Sequence, residues 1–162
     1  YQGGIKMIKL VRVDHRLIHG QVAFSGLKFL ETDCILIASD GLLKDELRMA
    51  GLRMAKPSNV KLVMKNMEDS IKALNSGVTD KYRLFILCES VEDVYRLAKG
   101  SDRIREINLG GTKSGADRKA ISKAVYLSET DVEMVKELVN DGKKVFVQMV
   151  PDDTSTDVMN LL

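Results

Sequence analysis

Apolar residues in this chain recur in short runs separated by longer amphipathic segments. Seven runs have the length and the Val, Ile and Leu content typical of strands, namely 7–13, 33–38, 60–64, 82–87, 104–109, 124–127 and 144–150. The segments between most of these runs have the spacing or the capping residues of helices, which predicts helices over 20–30, 45–55, 67–74, 91–99 and 129–140. This alternation predicts an α/β fold with a mainly parallel sheet covered by helices on both faces.

One connection departs from the alternation. The segment 110–123 is polar, contains three glycines and has no amphipathic helical pattern, so the strand at 124–127 is predicted to run antiparallel to its neighbour. Ligands of parallel sheets bind beyond the carboxyl ends of the strands. Function is therefore expected in the loops that follow the strands, at 14–19, 39–41, 65–68, 89–90 and 110–115.

Length and composition narrow the possible functions. The 162 residues predict one domain, which we expect over 7–158, with a natural start at Met7 and with some of residues 1–6 not native. A net charge of +2 gives little electrostatic reason to expect nucleic acid as a partner. No apolar run approaches the ~18 residues of a membrane span, so we expect a cytoplasmic chain. Cys34 and Cys88 lie in separate apolar runs and are predicted to be buried, reduced thiols.

The chemistry-bearing residues concentrate in one loop. The only histidines, His15 and His19, follow the first strand together with Asp14 and Arg16, and Arg12 lies near the end of that strand. Over residues 1–21, four Lys and Arg residues oppose one aspartate, a local charge of +3 that favours an anion. A neutral imidazole beside arginines that bind phosphate is suited to accept a phosphoryl group, while a carboxylate fixes its tautomer.

Other interpretations of these residues remain open on the sequence alone. His15 and His19 are four residues apart, which is half of a metal site without a nearby third ligand. The glycine-containing segment 110–115 fits neither of the two common nucleotide-binding motifs and is equally consistent with a flexible polar loop. A serine-hydrolase elbow is absent. The histidines are also consistent with residues that only stabilise a turn.

The segment 12–22, RVDHRLIHGQV, resembles the active-site signature of a known family. This is the IIB component of the mannose/fructose/sorbose family of the bacterial phosphoenolpyruvate:sugar phosphotransferase system. INLGG at 107–111 and GKKVFVQMVPDD at 142–153 are similar to further blocks of that family, so the resemblance spans about 7–158. It implies an open, twisted, mainly parallel sheet of seven strands with one antiparallel member.

The resemblance also implies roles for individual residues. His19 corresponds to the histidine that accepts phosphate from a IIA phosphohistidine and passes it to sugar carried by the membrane components IIC and IID. Arg12 and Arg16 correspond to arginines that neutralise the phosphate, and Asp14 corresponds to the carboxylate that orients the imidazole. Five further residues are expected to bind phosphate or a partner or to border the site: His15, Gly20, Asp40, Gly110 and Gly111.

The implied activity is a protein-phosphohistidine–sugar phosphotransferase, peripheral to the membrane transporter, that needs no metal or nucleotide cofactor. One departure is Gly26, near which members of the family often have a tryptophan, and it concerns local packing and sugar specificity. The alternative class is a non-enzymatic anion-sensing or regulatory α/β domain, and a third is a small-molecule binding protein.

Overall fold

The computed structural model describes residues 8–19 and 31–162. Within them, the strands are β1 (Ile8–Asp14), β2 (Cys34–Ala38), β3 (Lys61–Lys65), β4 (Leu84–Cys88), β5 (Glu106–Gly111), β6 (Lys119–Ala120), β7 (Tyr126–Leu127), β8 (Lys144–Val147) and β9 (Thr156–Asp157). The α-helices are α1 (Glu46–Ala55), α2 (Met67–Ser76), α3 (Val91–Gly100) and α4 (Glu129–Asn140). Short 3₁₀ helices occupy Leu42–Lys44 and Val158–Asn160. The predicted helix over 20–30 lies outside the described residues. None of the helices in the described part of the chain has the length and the apolar character of a membrane span.

Seven strands form one sheet in the order β3-β2-β4-β1-β5-β8-β9. All neighbouring pairs are parallel except β8 and β9, which confirms the predicted mainly parallel sheet with one antiparallel member. The antiparallel member of this sheet is β9, whereas the segment 124–127 is antiparallel to its neighbour, as predicted, but lies outside the sheet. β7 pairs antiparallel with β6 in a separate two-stranded ribbon, because the chain leaves the sheet after β5 and returns to it only at β8.

Helices cover both faces of the sheet, as predicted. Successive side chains of a strand point to opposite faces, and Ile35 and Ile37 of β2 pack with Met49 and Leu52 of α1. The other face of the same strand, with Cys34, contributes to a larger apolar cluster that includes residues of α2, α3 and α4. Cys34 and Cys88 are both buried and free, as the sequence predicts.

Polar caps determine where the helices begin. The side chains of Asn66, Ser90 and Ser128 each accept a hydrogen bond from a backbone N–H in the first turn of α2, α3 and α4, respectively. Gly77 ends α2 with a φ of 84°, a backbone conformation that glycine adopts without the steric cost of a Cβ atom. α2 and α3 follow β3 and β4 directly, so both helices begin at the carboxyl edge of the sheet, where the loops carry the candidate site.

Candidate active site

The site begins on β1, where alternation places Arg12 and Asp14 on the same face of the strand. Their side chains meet, with Arg12 Nη2 3.3 Å from Asp14 Oδ2. The pairing of β1 with β5 is regular up to Val13 and then shifts by one residue, so that Asp14 lies opposite Gly111. An irregularity of this kind re-aims side chains at the end of a strand. Here it coincides with the end of β1 at which Asp14 stands.

Asp14 is the centre of the site. Its carboxylate is 1% exposed and accepts hydrogen bonds from His19 Nε2 at 2.9 Å and from the backbone N–H of Arg16 at 3.1 Å. Burial alone would raise the pKa of Asp14, but these hydrogen bonds and the charge of Arg12 outweigh burial and hold the pKa below its ordinary value. Asp14 is therefore an ionised carboxylate at neutral pH and acts only as an acceptor.

The ionised carboxylate determines which nitrogen of His19 carries the proton. Because Asp14 can only accept, the nitrogen that faces it, Nε2, is the N–H of the neutral ring. The lone pair is then on Nδ1, on the side of the ring away from the carboxylate. The His19 side chain is 20% exposed, so the ring is held in place and still reached by solvent.

Arg12 is turned into the protein. Its Nη1 donates to Asn108 Oδ1 at 2.7 Å and to the backbone O of Gln148 at 3.1 Å, and its Nη2 donates to Asp14 and to the backbone O of Met149 at 2.8 Å. The four N–H bonds of the two terminal nitrogens thus have internal acceptors. Burial lowers the pKa of this guanidinium, an effect that the neighbouring Asp14 opposes.

Gly110 makes this arrangement of Arg12 sterically possible. A Cβ atom at Gly110 would overlap the guanidinium of Arg12, at its Cζ, Nη2 and Nε atoms. The guanidinium is held by four hydrogen bonds and is not a flexible chain end that can move aside. The glycine therefore borders the site by accommodating Arg12.

Arg16 has the opposite orientation from Arg12. Its side chain is half-exposed, and its Nε lies 3.5 Å from Asp14 Oδ1. The backbone N–H of the same residue donates to that carboxylate, so the position of Arg16 is linked to that of Asp14. Of the two arginines that the sequence predicts for the site, Arg16 is the one whose side chain faces solvent. It lies beside Asp14, the carboxylate that binds His19.

The remaining candidates lie at different distances from this centre. The N–H of His15 donates to the backbone O of Gly111, which puts both residues beside Asp14, and among the described residues His15 Nδ1 has no hydrogen-bond partner. Asp40 lies beyond β2, where its oxygens accept from the backbone N–H of Met67 and from Arg96. Gly20, the last of these candidates, lies outside the described residues.

Two residues that make hydrogen bonds to the site have no role in the prediction from sequence. Asn108, buried in β5, accepts from Arg12 and donates to the backbone O of Gln148. The sequence does indicate a role for Asn108, because an asparagine buried within the apolar strand INL must have a hydrogen-bond partner. Arg48 of α1 donates to the backbone O of His15, and no local pattern in the sequence indicates that contact.

Fold and site together define an α/β protein that holds a histidine and two arginines around a buried aspartate at the carboxyl edge of a mainly parallel sheet. Residues 8–162 match the family model described as the PTS system sorbose subfamily IIB component. The chain therefore belongs to the sorbose subfamily of IIB components of the phosphotransferase system, which are phosphotransferase domains of sugar transport.

Individual relatives agree with this membership over nearly their whole length. The sorbose-specific EIIB component of Lacticaseibacillus casei is 33% identical over 153 residues, 94% of this chain and 93% of that protein. The fructose-specific EIIB component of Bacillus subtilis is 30% identical over 155 residues, 96% and 95% of the two chains. The crystal structure of the IIBSor domain of the sorbose permease from Klebsiella pneumoniae has a TM-score of 0.90 at 29% identity and covers 95% of this chain and 94% of that one.

Proposed function

We propose that this IIB component carries a phosphoryl group on Nδ1 of His19, between a phosphohistidine donor and a sugar. The observation that carries the proposal is the 2.9 Å contact between His19 Nε2 and the buried carboxylate of Asp14. This contact leaves Nδ1 with the lone pair that a nucleophile needs. It also places a negative charge beside the ring, which becomes cationic when Nδ1 is phosphorylated.

The transfer onto His19 needs no external acid or base. Nδ1 of His19 attacks phosphorus in line with the donor N–P bond; the new N–P bond forms, and the donor imidazole leaves with the electron pair of the bond that breaks. The positive charge of the phosphorylated donor ring disappears as the same charge develops on His19. In the second step, a sugar hydroxyl attacks the phosphorus: the new O–P bond forms, the hydroxyl proton passes to water, and Nδ1 leaves with the electron pair of the N–P bond that breaks.

Arg16 is the arginine that we assign to the phosphate. Its guanidinium is half-exposed and close to Asp14, so it can reach the equatorial oxygens of a group on the exposed side of His19. Four of the five N–H donors of Arg12 bind internal acceptors, which supports a positioning role for Arg12 through Asp14. His15, Gly20, Gly110 and Gly111 complete the proposed surroundings of the phosphate.

The partners follow from family membership. The proposed donor is a IIA component, and the proposed acceptor is sugar held by the membrane components IIC and IID, to which this chain would bind as a peripheral, cytoplasmic protein. A relative whose name combines the IIA and IIB components supports a IIA donor. This relative, the mannose-specific EIIAB component of Escherichia coli, is 30% identical over 156 residues, which are 96% of this chain and 48% of that protein. We place Asp40 outside the reacting centre, because both of its oxygens bind elsewhere.

The test is phosphoryl transfer to the purified chain from phosphoenolpyruvate through enzyme I, the phosphocarrier protein and a cognate IIA component. We expect the wild type and His15→Ala to be labelled and His19→Ala to remain unlabelled. His15→Ala is the matched control, because it removes an imidazole from the same loop. An unlabelled wild type contradicts the proposed function, and labelling of His19→Ala contradicts the assigned residue.

The stability of the label separates phosphohistidine from the regulatory alternative. Phosphohistidine is labile in acid and survives alkali, whereas the phosphoaspartate of a receiver-like domain is labile in alkali. We expect loss of the label in acid only. A protein that binds a small anion without becoming labelled would instead fit the anion-sensing class.

A further inference from the structure

Arg48, in the first turn of α1, reaches from its helix to the loop that carries His19. Its Nη2 donates to the backbone O of His15 at 3.0 Å, and its Nη1 donates to Glu89 Oε2 at 2.6 Å. Glu89 is held in turn, because its Oε1 accepts from Ser39 Oγ at 2.9 Å. One guanidinium thereby connects the loop after β1 with α1 and with the end of β4.

The loop 14–19 needs such support, because its backbone is strained. Leu17 has a φ of 59°, in the left-handed region, which is unfavourable for a residue with a Cβ atom. A conformation of this kind persists only where the surroundings hold it. Leu17 is buried against the cluster that includes Met49 and Leu52 of α1. The apolar side of the loop and the carbonyl of His15 therefore depend on the same helix.

The peptide groups of His15 are held from two directions. Its N–H donates to the backbone O of Gly111 at the end of β5, and its C=O accepts from Arg48 of α1. Asp14 and His19 lie on either side of the strained Leu17. Because the loop is fixed at His15, the carboxylate of Asp14 and the imidazole of His19 keep their relative positions on the two sides of Leu17.

We propose that Arg48 is a positioning residue for His19. By binding the carbonyl of His15, it stabilises the turn in which His19 Nε2 faces Asp14. The proposal deepens the proposed function and rests on it, since it assigns Arg48 to the geometry of the phosphorylated residue. A planar guanidinium is suited to this role because it donates to two acceptors at a fixed angle, whereas the ammonium of lysine is a single point charge.

The first measurement is the rate of phosphoryl transfer onto His19 in Arg48→Met, with Arg53→Met as the matched control. Arg53 is an exposed arginine of the same helix, so both substitutions remove one charge from α1. We expect Arg48→Met to be about tenfold slower than the wild type, since small displacements of reacting groups are costly in rate. Arg53→Met should transfer as fast as the wild type. Equal rates in all three proteins overturn the proposal.

The second measurement is the ¹⁵N spectrum of the His19 ring in the unphosphorylated protein, which does not depend on any partner. In the wild type, Nε2 should carry the proton, and Arg48→Met should lower the population of that tautomer. A role in stability alone would lower the melting temperature without changing the ring. Arg48→Lys should restore the charge but not the wild-type tautomer population, and full restoration overturns the proposal. An unlabelled wild type with the expected spectra would contradict the proposed function and leave the positioning role supported.

Discussion

Two carboxylates at the carboxyl edge of the sheet, Asp14 and Asp93, have pKa values that are shifted in opposite directions. At the histidine end, beyond β1 and β5, Asp14 stands among the cationic and N–H groups of Arg12, Arg16 and His19, and its pKa is lowered. At the acidic end, beyond β2 and β4, Asp40 pairs with Arg96 and Glu89 pairs with Arg48, and the charges of both carboxylates act on Asp93. There burial, followed by the charge of Glu89, raises the pKa of Asp93 to about 6.

The two opposite pKa shifts indicate where along this edge an anion can be held. Hydrogen bonds and positive charge stabilise an added negative charge at the histidine end, whereas at the acidic end one carboxylate already opposes the ionisation of its neighbour. The two ends lie on neighbouring strands of the same sheet and differ in the side chains that their strands, loops and helix starts provide. Arg48 connects them, because it donates to Glu89 and to the backbone O of His15.

The largest contrast is expected for an aspartate-to-asparagine change at each end. Asp14→Asn should slow phosphoryl transfer onto His19 by about 10³-fold, because the amide no longer offsets the charge of the phosphorylated ring and does not select one tautomer. Asp93→Asn, at the acidic end, should leave the rate unchanged. The measurement is the transfer rate from a labelled donor, with circular dichroism to verify folding. Comparable losses in both variants would mean that the two ends do not differ as proposed.

A smaller contrast is expected for two arginines of similar exposure. Arg16 is 50% exposed beside Asp14, and Arg96 is 46% exposed beside Asp40, so each forms an ion pair with an aspartate at its own end. Arg16→Gln should slow transfer by on the order of 10²-fold, the cost of losing one donor to a charged transition state. Arg96→Gln should keep the wild-type rate. If Arg96→Gln is as slow as Arg16→Gln, general loss of positive charge explains the effect and the assignment of Arg16 fails.

Much of the fold could be predicted because the central strands are short apolar runs. β2 and β4 are buried along their whole length, and the sequences CILIA and LFILC have no other environment in a chain of this composition. β9 could not be predicted, since Thr156–Asp157 has two residues and no apolar pattern. The segment 124–127 is apolar and β-forming, but four residues do not indicate whether a strand joins the main sheet or a separate ribbon.

The candidate site likewise combines local contacts, which the sequence predicts, with contacts between distant residues, which it does not predict. Arg12 and Asp14 are two residues apart on a strand, so alternation alone predicts that they share a face. The burial of Arg12 depends on Asn108 in β5 and on carbonyls after β8, which sequence spacing does not bring together. The contact of Arg48 with His15 joins residues 33 positions apart and follows from the packing of α1 against the loop.

The smallest expected effect concerns stability at the acidic end. The pKa of Asp93, about 6 when folded, is higher than that of an ordinary aspartate because of burial and of Glu89, Glu92 and Asp40, which Arg96 only partly offsets. The folded state therefore binds more protons than the unfolded chain between about pH 4 and 6, so the stability that this group contributes is lost as the pH rises. Asp93→Asn should raise the free energy of unfolding at pH 7 by about 1 kcal/mol, a value reduced from the full linkage because the side chain is partly exposed.

Urea denaturation of the wild type and Asp93→Asn at several pH values between 4 and 7 measures this difference. The gain of the variant should be largest at pH 7 and disappear towards pH 4, where the wild-type carboxyl is protonated in the folded protein. Asp69→Asn is the control, because Asp69 holds the same position in the first turn of α2 but is exposed. It removes a carboxylate near a helix N-terminus, which is favourable there, and should not stabilise the protein. A gain that is equal at pH 4 and pH 7 would show that Asp93 is not opposed by its neighbours, and the electrostatic contrast between the two ends would then rest on Asp14 alone.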